Sequence, residues 1–157
     1  VSRRAAIHPG RRGRILPILP DPPLEVTDRH FCLFVSTTLV NPLNTRAHWT
    51  MTAARVARQR EATKVSVWGA CLDPRGLRWR IVNRRAAKRI DLRAHVMRRF
   101  DSHDNLRAAC KPIVDGLIDA RVIADDADVE RHVFTYTQIV DGRRGVTIRV
   151  ALVEEPA

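Results

Sequence analysis

Six aspartates, Asp101, Asp104, Asp115, Asp119, Asp125 and Asp126, fall within "FDSHDNLRAACKPIVDGLIDARVIADD", residues 100–126 of a chain whose formal charge is +11. Carboxylates are hard oxygen ligands. A few of them held together suit magnesium, which completes its near-octahedral shell with water or substrate phosphate. Such an ion makes water nucleophilic and stabilises the charge that builds on phosphorus, so phosphodiester hydrolysis is the chemistry this cluster would serve. Lys111, in the same stretch, adds an ammonium that can sit over a phosphate, orient water or protonate a leaving oxygen. The less specific reading is a solvated helix face with an i,i+4 Lys–Asp pair, followed by an acidic turn.

The distribution of charge favours the first reading. Residues 75–99 hold ten Lys or Arg against Asp91 alone, a balance of +9, and residues 101–130 hold eight acids against Arg107, Lys111 and Arg121, a balance of −5. A sequence pI near 11.2 points to a polyanionic partner, nucleic acid first. Arg84, Arg85, Lys88, Arg89, Arg98 and Arg99 are the candidates to grip a phosphate backbone, with Arg46 as a further contact. For each, the alternative is a solvated charge run. A structural RNA binder of ribosomal type would share the pI but gain nothing from an acidic segment beside its basic block. Carboxylates that hold a metal turn that repulsion into attraction.

Other chemistries find no support. At 157 residues and 45% hydrophobic the chain is one domain of ordinary size. No apolar run is long enough to span a bilayer, and residues 1–24 contain no continuous apolar core of signal-peptide type. Cys32, Cys71 and Cys110 are odd in number, far apart and without zinc spacing, so reduced thiols in a reducing compartment are expected, with Cys32 and Cys110 in the core. There is no Gly-rich phosphate loop and no Ser-His-Asp or Cys-His set.

The elements that must position the acids follow from pattern. Residues 1–24 carry five arginines and five prolines without periodicity and read as a basic, disordered arm, leaving 25–157 as the domain. "HFCLFVSTTLV" (30–40) is a strand, "NPLNTR" (41–46) a turn, and the alanine-rich text from about Ala47 to Val67 a helix, on which Trp49 is expected to pack against the sheet. Ile90, Leu92, Ala94 and Val96 alternate with polar residues in a half-buried strand. A helix is then predicted to begin near Asp104 or Asn105, both good N-cap types. At about 100° per residue it places Asp104, Ala108, Lys111 and Asp115 on one side and Leu106, Cys110, Ile113 and Leu117 on the other, with a kink expected at Pro112. Val129–Val140, the turn "DGRRG" (141–145) and the alternating Val146, Ile148, Val150 and Leu152 complete the chain as a hairpin. The predicted order is β-α-β-α-β-β, a single α/β domain with a mixed sheet and helices packed on one face.

Asp104-Asn105, Lys111, Asp115-Gly116-Leu117 and Asp125-Asp126 together resemble the RusA-type Holliday junction resolvases of phages and prophages. That family's pattern is D-x-D-N opening a helix with a lysine, then D-[AG]-L, then D-D before a strand. "NPLNTRAHW" (41–49) also resembles the family's N-terminal stretch, and the match covers most of residues 31–153. The resemblance implies a homodimeric endonuclease that nicks four-way DNA symmetrically in the cytoplasm of a bacterial or phage-infected cell. It uses magnesium, with manganese as a substitute. It also implies Asp104, Asp126 and Lys111 as catalytic residues, with Asp101 serving in place of the aspartate expected at 102, and Asp101, Asp104, Asp125 and Asp126 as metal ligands. Two departures stand out. The first aspartate of D-x-D-N falls on Ser102, with Asp101 one place earlier, and the step from Asn105 to Lys111 is longer than in the shortest family members by about one helical turn. Ser102 leaves open an alternative, a dimeric junction-binding protein that cuts weakly or not at all.

Overall fold

The computed structural model describes residues 23–41, 49–71, 85–125 and 131–153. Its elements are β1 (Glu25–Val26), β2 (His30–Ser36), α1 (Trp49–Cys71), β3 (Lys88–Val96), α2 (His103–Asp119), β4 (His132–Val140) and β5 (Gly145–Leu152). Apart from the two-residue β1, too short to leave a pattern in sequence, this is the predicted order. The strands form one mixed sheet in the order β1-β2-β5-β3-β4, in which β3 and β4 are parallel and every other pair is antiparallel. Leu24 already donates to the Cys32 carbonyl, so the sheet begins at the end of the stretch expected as the arm.

Alternation along the strands builds the core. Phe31, Leu33 and Val35 on β2 lie opposite Val150, Ile148 and Val146 on β5, which in turn lie opposite Ile90, Leu92 and Ala94 on β3. These nine join buried residues of both helices in a single apolar cluster. The reverse of the sheet carries Arg89, Asp91, Arg93, Thr135, Thr137 and Arg149 around a trough of about 480 Å³.

Three findings correct the sequence reading here. Residues 141–145 do not close a hairpin: β3 lies between β4 and β5 and pairs with both, so the connection passes over the end of β3. Lys88 shares the parity of Ile90 and Leu92, so its side chain points inward: it is wholly buried and its Nζ donates to the Ala86 carbonyl at 3.0 Å. It does not present a cation to a DNA backbone. Trp49, expected to pack on the sheet, stands in the first turn of α1 and is 73% exposed. Cys110 is buried as expected, whereas Cys32 is half-buried; all three cysteines are free thiols.

Burial drives the Lys88 ammonium down to about 8. The unfolded chain therefore binds more protons than the folded one between about pH 8 and the ordinary lysine value of about 10.5, and across that window Lys88 makes stability rise with pH. Lys88→Met should abolish that contribution. Urea unfolding at pH 7 and pH 10 should show wild type gaining on Lys88→Met by about 2–3 kcal/mol on going to the higher pH. An equal difference at both values would refute the assignment.

Candidate functional site

The acids are positioned by α2, and α2 is positioned by its apolar side. Leu106, Cys110, Ile113 and Leu117 are buried, and Asp104, Lys111 and Asp115 lie away from the core, as the wheel predicts. The helix runs through Pro112 without interruption. Beside α1 it approaches so closely that a Cβ on Gly116 would lie 2.6 Å from the Thr63 Cβ and 2.7 Å from the Arg60 carbonyl oxygen. One turn on, Asp119 takes a two-pronged contact from Arg60, with Nη2 at 2.7 Å from Oδ1. Arg60 holds that carboxyl below its ordinary value. Asp119 is thus a clamp between helices. Asp115 accepts from Lys111 Nζ at 2.8 Å, the i,i+4 pair of the bland reading.

The beginning of α2 corrects the prediction for its cap. The N-cap is Ser102, in extended conformation, whose hydroxyl accepts from the Asn105 N–H at 3.2 Å, and the helix starts at His103. Asp104 sits in the first turn, where a carboxylate is stabilised by the unpaired N–H groups of the helix end. Asp101 immediately precedes the cap.

Asp101 also lines a cleft of about 620 Å³ at the C-terminal ends of β2 and β3. Arg98, Arg99 and Arg144 line the same cleft, with His95 and Phe100. Gln138 of β4 grips the backbone of this segment from both sides: its Oε1 accepts from the Phe100 N–H at 2.8 Å and its Nε2 donates to the Phe100 carbonyl at 3.2 Å. Below, the buried His95 ring spans Asp141 Oδ2 at 2.7 Å from Nδ1 and Thr147 Oγ1 at 2.8 Å from Nε2. Asp141 also accepts from Arg143. No sequence signal announced this relay, because its members come from β3, the β4–β5 turn and β5.

Asp101 and Asp104 are exposed, and neither pairs with another described side chain. Both are open to a cation. Asp125 is exposed beyond the far end of α2. Along the axis Lys111 lies about 10 Å from Asp104, and Asp115 about 16 Å. Among the described residues no three His, Cys, Asp or Glu side chains converge on a point where a metal could sit. Arg85, Arg89, Arg98 and Arg99 are all exposed. Asp126, Arg46 and Arg84 lie outside the described residues.

His95 and, after it, Arg143 hold the Asp141 carboxyl down at about 2. A depressed carboxyl stabilises the fold fully above its unfolded value, and that stabilisation fades as pH falls through the folded one. Asp141→Asn should therefore be less stable than wild type at neutral pH, with the gap narrowing between about pH 4 and pH 2. Thermal melts across that range check this, and a gap that does not change with pH would contradict it. No protein-family model matches the chain, and no curated protein matches it.

Proposed function

We propose that this chain is a magnesium-dependent endodeoxyribonuclease that acts as a homodimer on branched, four-way DNA. The observation that carries the reading is the cleft in which Asp101 stands among Arg98, Arg99 and Arg144, at the foot of a helix whose first turn holds Asp104. Three guanidiniums there suit a phosphate backbone, since planar forks bind phosphate oxygens in pairs. Two unpaired carboxylates beside them suit a hard cation. Bound magnesium would supply an activated water and neutralise charge at phosphorus. The protein's part is to hold the scissile phosphate with the arginines and to fix the carboxylates through the Ser102 cap and the Gln138 grip on Phe100. Lys111, two turns along the same side of α2, faces a phosphate further along the strand.

Asp104, in the first turn of α2, and Asp125, six residues past its end, would both recur in each copy of a homodimer. A two-fold dimer also matches the approximate two-fold symmetry of a four-way junction, with one site for each of two opposed strands.

Ser102 favours a second reading, a junction binder with little cutting. Serine and aspartate cap a helix about equally well. An aspartate at 102 would supply both a cap and a ligand, and serine supplies the cap alone.

The test uses a labelled four-way junction and a linear duplex, with magnesium and with EDTA. Symmetric, magnesium-dependent nicks on the junction are expected, falling at least about 100-fold in Asp101→Asn and in Asp104→Asn while binding survives. Ser102→Asp should keep its stability to within about 0.5 kcal/mol and cut faster than wild type. Junction binding without cleavage in wild type, together with cleavage in Ser102→Asp, would establish the second reading. Absence of both binding and cleavage would dispose of the nuclease reading altogether.

A further inference from the structure

Sheets are normally protected at their edges, by short strands, charges, proline or a bulge, because an open edge pairs with whatever strand it meets. One edge of this sheet follows the rule: β1 is two residues long and begins with Glu25. The other does not. β4 pairs with β3 through all nine of its residues, and among the described residues no strand lies beyond it. Its sequence, "HVFTYTQIV", contains no Lys, Arg, Asp, Glu, Pro or Gly. Val133, Ile139 and Val140 are 58%, 40% and 50% exposed, and Phe134 and Tyr136 are only partly buried against the core.

We infer that β4 is the seam of a homodimer, pairing antiparallel with β4 of a second copy about a two-fold axis at Tyr136 and joining two five-stranded sheets into one. The strand's own order of residues argues for that occupant and that register. With Tyr136 opposite its copy, Val133 meets Ile139 and Thr135 meets Thr137 on the open side, so apolar residues pair with apolar and threonine with threonine, twice each by symmetry. Phe134 meets Gln138 on the helix side. A slip of two residues destroys the match, setting Val133 against Thr137 or Thr135 against Ile139. Cross-strand pairs of like character are the unit by which sheets are stabilised, and matched side chains are what fix register. An isologous two-fold contact requires just this self-complementarity.

The inference rests on the dimer of the nuclease reading but not on cleavage, and it is tested without DNA or metal. Sedimentation of wild type should show a species of twice the chain mass. Ile139→Lys sets an ammonium against Val133 of the second copy at two places and should weaken dimerisation at least about tenfold, with the far-ultraviolet circular dichroism unchanged. The double variant Val133→Glu/Ile139→Lys sets Glu against Lys at both places and should recover the dimer in a salt-sensitive form. Wild type that stays monomeric at about 100 µM overturns the inference and leaves the edge to another segment of the same chain. So does Ile139→Lys dimerising as tightly as wild type, or a folded double variant that stays monomeric. A chain that dimerises in this way and cuts no junction would keep the seam and lose the nuclease.

Discussion

The close approach of α1 and α2 at Gly116 is the constraint on which the candidate site depends. A helix can roll about its axis on a flat apolar sheet at modest cost, because hydrophobic burial has no direction. Backbone within a Cβ's reach of Thr63 and the Arg60 carbonyl removes that freedom. Once the azimuth of α2 is set, Leu106, Cys110, Ile113 and Leu117 face the sheet, and Asp104, Lys111 and Asp115 must face out. The Arg60–Asp119 fork reinforces the setting from the surface. Half-exposed as that pair is, it contributes on the order of 1 kcal/mol at most, far less than the buried contact it accompanies. At Gly116 α1 lies too near for alanine.

The acids that look alike in sequence divide by environment. Asp119 is committed to Arg60 and Asp115 to Lys111. Asp141, outside the acidic segment, is committed to His95 and Arg143. Among the described residues, Asp101 and Asp104, at the start of α2, stay open to a cation. The basic residues divide too. Arg98, Arg99 and Arg144 share the cleft with Asp101, whereas Arg89, Arg93 and Arg149 form a separate patch on the reverse of the sheet. The density of charge in residues 75–130 is therefore several local arrangements rather than one basic surface beside one acidic surface.

How much of this was legible in sequence depended on whether the deciding contact was local. The alternation through Ile90, Leu92, Ala94 and Val96 and through Val146, Ile148 and Val150 is a property of each strand alone, and it foretold the core faces correctly. Parity also foretold Lys88: counting back by two from Ile90 puts it inside, and its charge type was the misleading signal. The face of α2 was legible for the same local reason. Trp49 was misread because a large apolar side chain suggests burial, while its position in the first turn of α1 carries it past the edge of the packing. The His95–Asp141–Thr147 relay and the hold of Gln138 on Phe100 were not legible, since each joins residues brought together only by the register of β3, β4 and β5. Nor was the continuity of α2 through Pro112, a residue that lacks its N–H: the buried side of the helix holds the turns on either side of it.

Ser102 shows why one position can change chemistry without changing fold. A helix start needs an acceptor for its unpaired N–H groups, and a hydroxyl serves as well as a carboxylate. Selection for the helix alone does not distinguish serine from aspartate here. Selection for a metal ligand would, since only the carboxylate brings the negative charge that a divalent ion requires. With serine at the cap, the charge at this end of α2 rests with the residue before it, Asp101, and with Asp104 in the turn after it. Asp101 stands outside the helix, tied to it only through the segment that Gln138 holds by the Phe100 backbone. The geometry available to a cation thus depends on β4, a strand that carries no acid itself and that is the last strand at that side of the sheet among the described residues.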